Sequence, residues 1–348
     1  MAFSDTEDIL AFVSAAIPGF LPAGKIEELS GGNLNRVWRV SGSEYSLVVK
    51  HAPPYIAKAP DIPLDPRRII LEAAALRLFD KPPLNSIVSE RLRPPRLLHA
   101  DEDRHAIILE DLGNLDSLDE AEDIGEETGT GLGVFLARLH GLTAGDEAIA
   151  ASINNRGIQQ SRLNVQYARV GEMLDNYGIP NSAELGGKAR KLGEKYLAKG
   201  RCLIMGDLWP RSILIAPRSQ QARIIDWEFA HYGRPAQDVA HLLAHLWMLQ
   251  HRAGTEERKN QLRQFGTAFT KSYRKEMRSH ALLFDEEERA DAGVHFGAEI
   301  LARTLGSFRD GYVYEGLGSG HPAMREAVEK AVRALGPEFR VFDGWPFL

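Results

Sequence analysis

In RCLIMGDLWPRSILIAPRSQQARIIDWEF, residues 201–229, three acids stand where a core would not put them. Asp207 follows the apolar run CLIMG, Asp226 follows ARII, and Glu228 comes two residues later. Burying an unpaired carboxylate is expensive, so acids set directly behind buried strands are expected where those strands open onto a cleft. The segments SILIA and ARIID, separated by the polar turn PRSQQ, read as a short hairpin. A hairpin brings its ends together, and so gathers Asp207, Ser212, Asp226 and Glu228 around one pocket. Each Asp alone also suits an N-cap or a turn; two of them on one hairpin, with a third acid beside them, point to a site. Hard oxygen donors at this density suit Mg2+, which takes one or two carboxylates together with substrate phosphates and water. One acid then remains to orient a hydroxyl nucleophile.

That division of labour is the one phosphoryl transfer needs: a metal on the phosphates, a base at the acceptor hydroxyl, a cation on the nucleotide and a flexible cover. Lys50 ends the apolar run SLVVK, a place from which its ammonium reaches phosphate oxygens, and Glu72 in the following helix is positioned to hold it by an ion pair. Gly31 and Gly32 supply a loop whose amides approach phosphate with no Cβ in the way. Singly, Lys50 also reads as a solvated strand end, Glu72 as an exposed helix face and the glycine pair as a plain turn. Their order and spacing carry the joint reading.

The elements that must position these groups fall into two parts. An amphipathic helix over about 5–16 leads into β structure: a strand at Ile26–Leu29, the glycine turn, RVWRV, a turn at SGSE and YSLVVK. DPRRIILEAAALRLF reads as a helix with Asp65 as N-cap and Pro66 at its first position, and RLLHADEDRHAIILEDLG as two strands around an acidic turn. Beyond residue 111 the pattern turns helical, in TGLGVFLARLHGL, SAELGGKARKLGEKYLAK, AQDVAHLLAHLWMLQHR, RKNQLRQFGTAFTKSYRKEM, AGVHFGAEILARTLGSF and MREAVEKAVRAL. The expectation is an α+β chain of two lobes. Residues 1–111 form a small antiparallel sheet with one inserted helix, and residues 112–348 a larger helical lobe carrying the β-hairpin.

Composition narrows the partners. The 348 residues carry a net charge of -6 with no long Lys/Arg block, so sequence-independent attraction to nucleic acid has little to work with. The one cysteine, Cys202, sits in an apolar run and reads as an inert core residue of a reducing compartment. MAFSDTEDILAF has acids where a secretory signal carries basic residues, and no apolar segment reaches about 18 residues. A cytoplasmic protein without a membrane partner is expected; monomer and homodimer both stay open.

The segments LSGGNLNRVWRV, VVKHAPPY, GDLWPRSILI and DWEFAHYG together resemble the protein-kinase-like small-molecule kinases of the aminoglycoside phosphotransferase and choline kinase group. Methylthioribose kinases and 4-hydroxytryptamine kinases are the nearest members, and the likeness spans most of residues 25–245. The resemblance implies a bilobal protein-kinase-like fold and ATP with Mg2+ as cofactors. It implies Asp207 as catalytic base, Asp226 and Glu228 as metal ligands with Ser212 as a weaker one, and Lys50, paired to Glu72, on the phosphates. Gly31, Gly32 and Asn33 would form the glycine loop, and Glu110 and Leu112 would offer backbone groups to adenine. Two departures are Met205, where many relatives have His, and Ser212, where they have Asn. Methylthioribose kinases carry a late arginine pair; here Arg303 stands beside Ala302, which implies a different hydroxyl acceptor. Alternatives are an aminoglycoside-type phosphotransferase, which needs an acidic acceptor pocket, and a nucleotide-binding pseudokinase.

Other features have plainer readings. His241 and His245 have the spacing of a zinc pair on a helix, but LLA between them offers no base, and packed or hydrogen-bonded histidines are expected. Asp238 is expected to cap its helix or brace the catalytic loop, and His140 to be structural. GLGSGHP follows no strand and so is no dinucleotide fingerprint. Trp209, Tyr232 and Trp247 either line the acceptor pocket or pack.

Overall fold

The computed structural model describes residues 3, 5–29, 32–216 and 221–341. Gly31 of the expected glycine loop and Pro217–Gln220 of the expected hairpin turn lie outside these residues.

The elements in chain order are α1 (Thr6–Ala16), β1 (Pro22–Glu28), β2 (Arg36–Gly42), β3 (Ser46–His51), β4 (Tyr55–Ile56), β5 (Ala59–Pro63), α2 (Arg68–Leu78), β6 (Leu92–Arg93), β7 (Leu97–Asp101), β8 (Ala106–Glu110) and β9 (Asp116–Ser117). Next come α3 (Glu126–Leu142), α4 (Glu147–Ser152), α5 (Arg156–Arg162), α6 (Val170–Asn176), α7 (Ser182–Tyr196), β10 (Cys202–Ile204), β11 (Ile213–Ile215), β12 (Ala222–Ile224), β13 (His231–Gly233), α8 (Pro235–Arg252), α9 (Glu256–Glu276), α10 (Glu286–Thr304) and α11 (Pro322–Ala334).

The first part is a five-stranded antiparallel sheet in the order β1-β2-β3-β8-β7. Strand side chains alternate between faces, and the two faces meet different cores. Leu47, Val49, Ile108, Trp38 and Val40 pack with Ile9, Phe12 and Val13 of α1. Ile107 and Leu109 join the main core with Ile69, Ala73 and Leu76 of α2. Lys50, paired in register with Ile107 and Val37, therefore lies on the α2 side. The α2 helix begins two residues later than its sequence suggests. The Asp65 and Pro66 carbonyls accept the Arg68 and Ile69 N–H groups in a preceding turn, while the Asp65 carboxylate caps Arg67 N at 2.9 Å.

In the second part, the helical runs expected from periodicity appear as α3 and α7 to α11. The shorter α4, α5, α6 and a π-helical turn at Leu163–Tyr167 have no such signal. The α3 and α9 helices approach closely because α3 presents glycines: a Cβ on Gly129 would sit 2.5 Å from the Phe265 carbonyl oxygen, and one on Gly133 2.4 Å from that of Phe269. The expected hairpin exists as β11–β12, in register Ile213 to Ile224, but it is the centre of a four-stranded sheet, β6-β12-β11-β9. A separate pair, β10–β13, holds Leu203 against Tyr232. The two-residue strands β6 and β9 are too short for a period-2 pattern, so only three-dimensional pairing reveals them. GLGSGHP leads from no strand and ends in the cap of α11, where His321 Nδ1 accepts from Ala323 N at 3.1 Å. Among the described residues no helix is long and apolar enough to cross a membrane.

Two buried histidines of this part, His231 and His245, are held neutral: burial pushes them down to about 4 and about 3. The unfolded chain takes up these protons near pH 6.5 while the folded chain does not, so stability falls as pH drops from 6.5 toward 4. Each histidine contributes about 1.4 kcal/mol per pH unit inside that window. Urea midpoints measured at pH 7, 6 and 5 are expected to fall more steeply in the parent than in His231→Gln, a comparison that cancels every other titrating group; equal slopes would show His231 protonated in the native state.

Candidate active site

Lys50 is 4% exposed, and its ammonium meets three carboxylates: Glu72 Oε2 at 2.9 Å, Asp226 Oδ1 at 2.8 Å and Glu228 Oε2 at 2.9 Å. Burial alone would lower its pKa; the charges of Asp226, Glu228 and Glu72 more than reverse this and hold it well above the usual lysine range. Glu72, fully enclosed, is pushed up to about 7, chiefly by burial, with Lys50 pulling the other way. β3 of the sheet, the helix behind it and the loop after β12 thus converge on one nitrogen.

The segment after β12 is locally costly. Asp226 has φ 65° and ψ 58°, the left-handed region, which Asp tolerates better than most residues but at a cost of about 1–3 kcal/mol. The packing and hydrogen bonds of the next residues offset that strain. Trp227 is fully buried, donates from Nε1 to the Ile224 carbonyl at 2.8 Å and packs edge-on against Phe79, just beyond α2, at 4.8 Å. Asn155 Nδ2 donates to the carbonyls of Glu228 and Ala230 at 2.7 and 3.3 Å. The Glu228 carboxylate also receives Asn35 Nδ2, and Asn35 Oδ1 accepts from the buried Arg68 at 3.1 Å. Asn35 and Arg68 carry no pattern that single-sequence reading could isolate.

Asp207 follows β10. Its Oδ1 takes both Arg162 Nη2 and, at 3.3 Å, His241 Nε2, while Oδ2 has no partner among the described residues. Burial pushes this carboxyl up, but the His241 contact and the charges of Arg162 and Arg303 outweigh it and hold it far below the usual carboxylate range. The preceding backbone is fixed by Asp238, whose two oxygens accept Met205 N and Gly206 N, each at 2.8 Å. Behind Asp238, His140 contacts it at 3.3 Å and Tyr273 at 2.9 Å. Asp238 therefore braces the loop, and His140 is structural. Gly206 has no substitute: its φ is +82°, and a Cβ would lie 2.3 Å from the Phe229 carbonyl oxygen.

Several expected residues are placed differently. Ser212 is fully buried; its hydroxyl accepts Trp209 N at 3.1 Å and donates to the Trp209 carbonyl at 2.8 Å, so it closes the catalytic loop and is not turned to a metal. Tyr232 spends its hydroxyl on the carbonyls of Thr143 and Arg201, at 3.2 and 3.0 Å, which takes it out of the acceptor pocket. Trp247 stacks on His251. Glu110 has its carboxylate on Arg93 and its N–H on the Arg96 carbonyl at 3.0 Å, so of its backbone groups the carbonyl is the one left to offer a base. No described residue bonds the Leu112 backbone. Gly32 is exposed, and the Asn33 carbonyl accepts Lys58 N at 3.1 Å. Trp209 and Arg303 do lie together beside the catalytic loop, the Arg303 guanidinium carbon 4.9 Å from the indole centre.

Residues 25–280 match the family described as phosphotransferase enzyme family. The chain belongs to this family. It is 24% identical over 269 residues to a 4-hydroxytryptamine kinase of Psilocybe cyanescens, covering 70% of this phosphotransferase and 73% of that protein. It is 29% identical over 245 residues to a methylthioribose kinase of Exiguobacterium sibiricum, covering 64% and 60%. Among solved structures, an amicoumacin kinase in complex with AMP-PNP and Ca2+ aligns with TM-score 0.56 over 99% of the phosphotransferase and 96% of that chain at 14% identity. A spectinomycin phosphotransferase in complex with ADP aligns with TM-score 0.53 over 94% and 98% at 15%. These neighbours share its bilobal, protein-kinase-like fold, and the phosphotransferase is an enzyme.

Replacing Asp238 by Ala strands two buried N–H groups, each worth about 1–3 kcal/mol. The phosphotransferase carrying Asp238→Ala is expected to lose about 3 kcal/mol of unfolding free energy in urea, and Asp238→Asn less, since the amide oxygen still accepts one bond. Equal stability of both variants with the parent would remove Asp238 from the loop brace.

Proposed function

We propose that this enzyme is a small-molecule kinase that transfers the γ-phosphoryl group of ATP to a hydroxyl, with residues 1–111 as the nucleotide lobe and 112–348 carrying the catalytic loop and acceptor pocket. One observation carries the reading: the Lys50 ammonium is bracketed by Glu72 behind it and by Asp226 and Glu228 in front. Lys50 and Glu72 are buried while the Asp226 side chain is 42% exposed, so the group opens to solvent on the Asp226 side. The named activities of the relatives and the nucleotides held by the structural neighbours support it.

The donor set fits a divalent ion. Asp226 and Glu228 are hard oxygen donors brought within one ammonium's reach, and Asp226 Oδ2 has no partner among the described residues. Mg2+ held by these two residues would neutralise charge on the transferring phosphate. Lys50 then binds the α- and β-phosphates, and Glu72 keeps it extended along the sheet. Gly32, Asn33 and the Leu112 backbone border the nucleotide. In the transfer, the acceptor oxygen bonds to Pγ, the bridge between Pβ and Pγ breaks, ADP leaves, and the hydroxyl proton passes to Asp207 or to solvent. An Asp held this far toward its ionised form is a weak base, so its contribution is to orient the hydroxyl, which it does through the open Oδ2. The single buried cysteine fits a cytoplasmic setting.

Asp207→Asn is expected to lower kcat roughly 10²–10⁴-fold with nucleotide affinity little changed, in an assay of acceptor-dependent ADP release. A fully active variant removes Asp207 from the chemistry. Asp226→Ala is expected to weaken Mg-ATP binding and turnover together, and to abolish the extra thermal stability that Mg2+ and AMP-PNP give the parent, a gain of about 2.7 kcal/mol at a hundred times Kd. Unaltered Mg2+ dependence would place the ion elsewhere.

A further inference from the structure

Beside the catalytic loop lies a group of side chains whose spare hydrogen-bond donors the transfer chemistry leaves unassigned. Arg162, at the end of α5, is more than nine-tenths buried; Nη2 is held by Asp207, while Nη1 has no hydrogen-bond partner. Arg303, on α10, donates from Nε to Glu299 Oε1 at 2.9 Å, and neither Nη1 nor Nη2 has a partner among the described residues. Its guanidinium carbon is 4.9 Å from the Trp209 ring centre and 5.3 Å from that of Tyr312. Arg211 approaches the same two rings at 5.6 and 5.4 Å, tied by Nε to Asp119 at 3.0 Å.

Glu299 is the anchor. It is 2% exposed and receives His245 Nε2 at 3.0 Å and Gln166 Nε2 at 2.7 Å besides Arg303. This also decides what His241, His245 and Glu299 are, although their ligand atoms lie within 4.8 Å of one another, close enough for a metal. His245 Nδ1 is bound to Tyr312 and His241 Nδ1 to His295, at 2.8 and 3.2 Å, and a guanidinium already occupies Glu299. The cluster holds an arginine in place and repels a second cation.

The charges make a pattern. Asp207, Glu299 and Asp119 each already hold an arginine, so an ammonium-bearing acceptor meets acids whose charge is balanced. What it has to spare are N–H donors: both terminal nitrogens of Arg303. A guanidinium held through Nε presents its two remaining nitrogens as a planar fork that matches a carboxylate.

We propose that the acceptor is an alcohol carrying a carboxylate, which the end-on fork of Arg303 takes while Trp209 and Tyr312 flank its body and its hydroxyl meets Asp207. This rests on the kinase reading above and names the acceptor class for that same site. An amine acceptor meets cations here, and a neutral one gives the guanidinium fork no charge to pair with.

Three phenols of one shape and different charge test it: 4-hydroxyphenylacetate, 4-hydroxyphenylacetamide and tyramine, titrated calorimetrically into the enzyme with and without Mg-AMP-PNP. The acid is expected to bind at least about tenfold more tightly than the amide, and tyramine most weakly. Arg303→Met is expected to erase the preference of acid over amide and Arg303→Lys to keep part of it; a merely structural role would weaken all three alike. Tyramine binding as well as the acid, or no binding of the acid at millimolar concentration, overturns the proposal. Mg-AMP-PNP affinity, measured in the same enzyme, separates the two readings: its loss would sink the kinase assignment, whereas intact nucleotide binding with no acid preference would sink the acceptor class alone.

Discussion

One buried ammonium surrounded by three carboxylates is the constraint on which the rest of this structure depends. Lys50 brings one positive charge to Glu72, Asp226 and Glu228, leaving the group two negative charges in excess if all are ionised. Such a cluster is destabilising unless further positive character is delivered to it. The fold delivers some through Asn35, which hands the Glu228 carboxylate on to the buried Arg68, itself fixed by the carbonyls of Leu34, Pro53 and Asp65 at 2.8 to 3.0 Å. The remainder sits at the exposed edge, on Asp226. An electrostatic deficit held open toward solvent attracts cations, and on that the proposed metal site rests.

Positioning across the cleft obeys a different logic. The nucleotide side is set by a strand register, Lys50 opposite Ile107, and by helix α2 packed beneath it. The catalytic side has only β10, three residues long, and cannot rely on ladder bonds. Asp238 supplies the missing rigidity from α8 by accepting the two N–H groups just before Asp207, and Ser212 closes the loop on its far side. Met205 stands where many relatives carry a histidine, yet its backbone N–H, not its side chain, is what Asp238 grips, so this departure leaves the loop brace intact.

These two modes of positioning set how far the sequence could be read. Lys50, Glu72, Asp226 and Glu228 were legible because each follows or faces a strong apolar period, and Asp207 because it ends one. The long helices were legible for the same reason. Arg162, Asn35, Asn155 and the Glu299 network were not: they act over separations of tens to hundreds of residues, from short helices and loops without periodicity, such as the seven-residue α5. Ser212 shows the opposite failure. Its place in the loop is that of a metal ligand in relatives, but a hydroxyl can equally satisfy the backbone of its own turn, and here it bonds the Trp209 N–H and the carbonyls of Trp209 and Asp207. Tyr232 was drawn toward the site by closeness in sequence, whereas its pairing with Leu203 carries it back along β10, away from Asp207.

The two sides of the cleft therefore answer different charges. Toward the nucleotide the protein lacks positive charge and waits for it. Toward the acceptor, arginine and carboxylate balance, and the surplus lies in hydrogen-bond donors. The division is consistent with in-line transfer, because a second surplus of acids around Asp207 would repel the γ-phosphate that must approach within bonding distance of the acceptor oxygen. Arg162 is central to this. By neutralising Oδ1 of Asp207 while leaving Oδ2 open, it lets one carboxylate order a hydroxyl without presenting its full charge to the incoming phosphate.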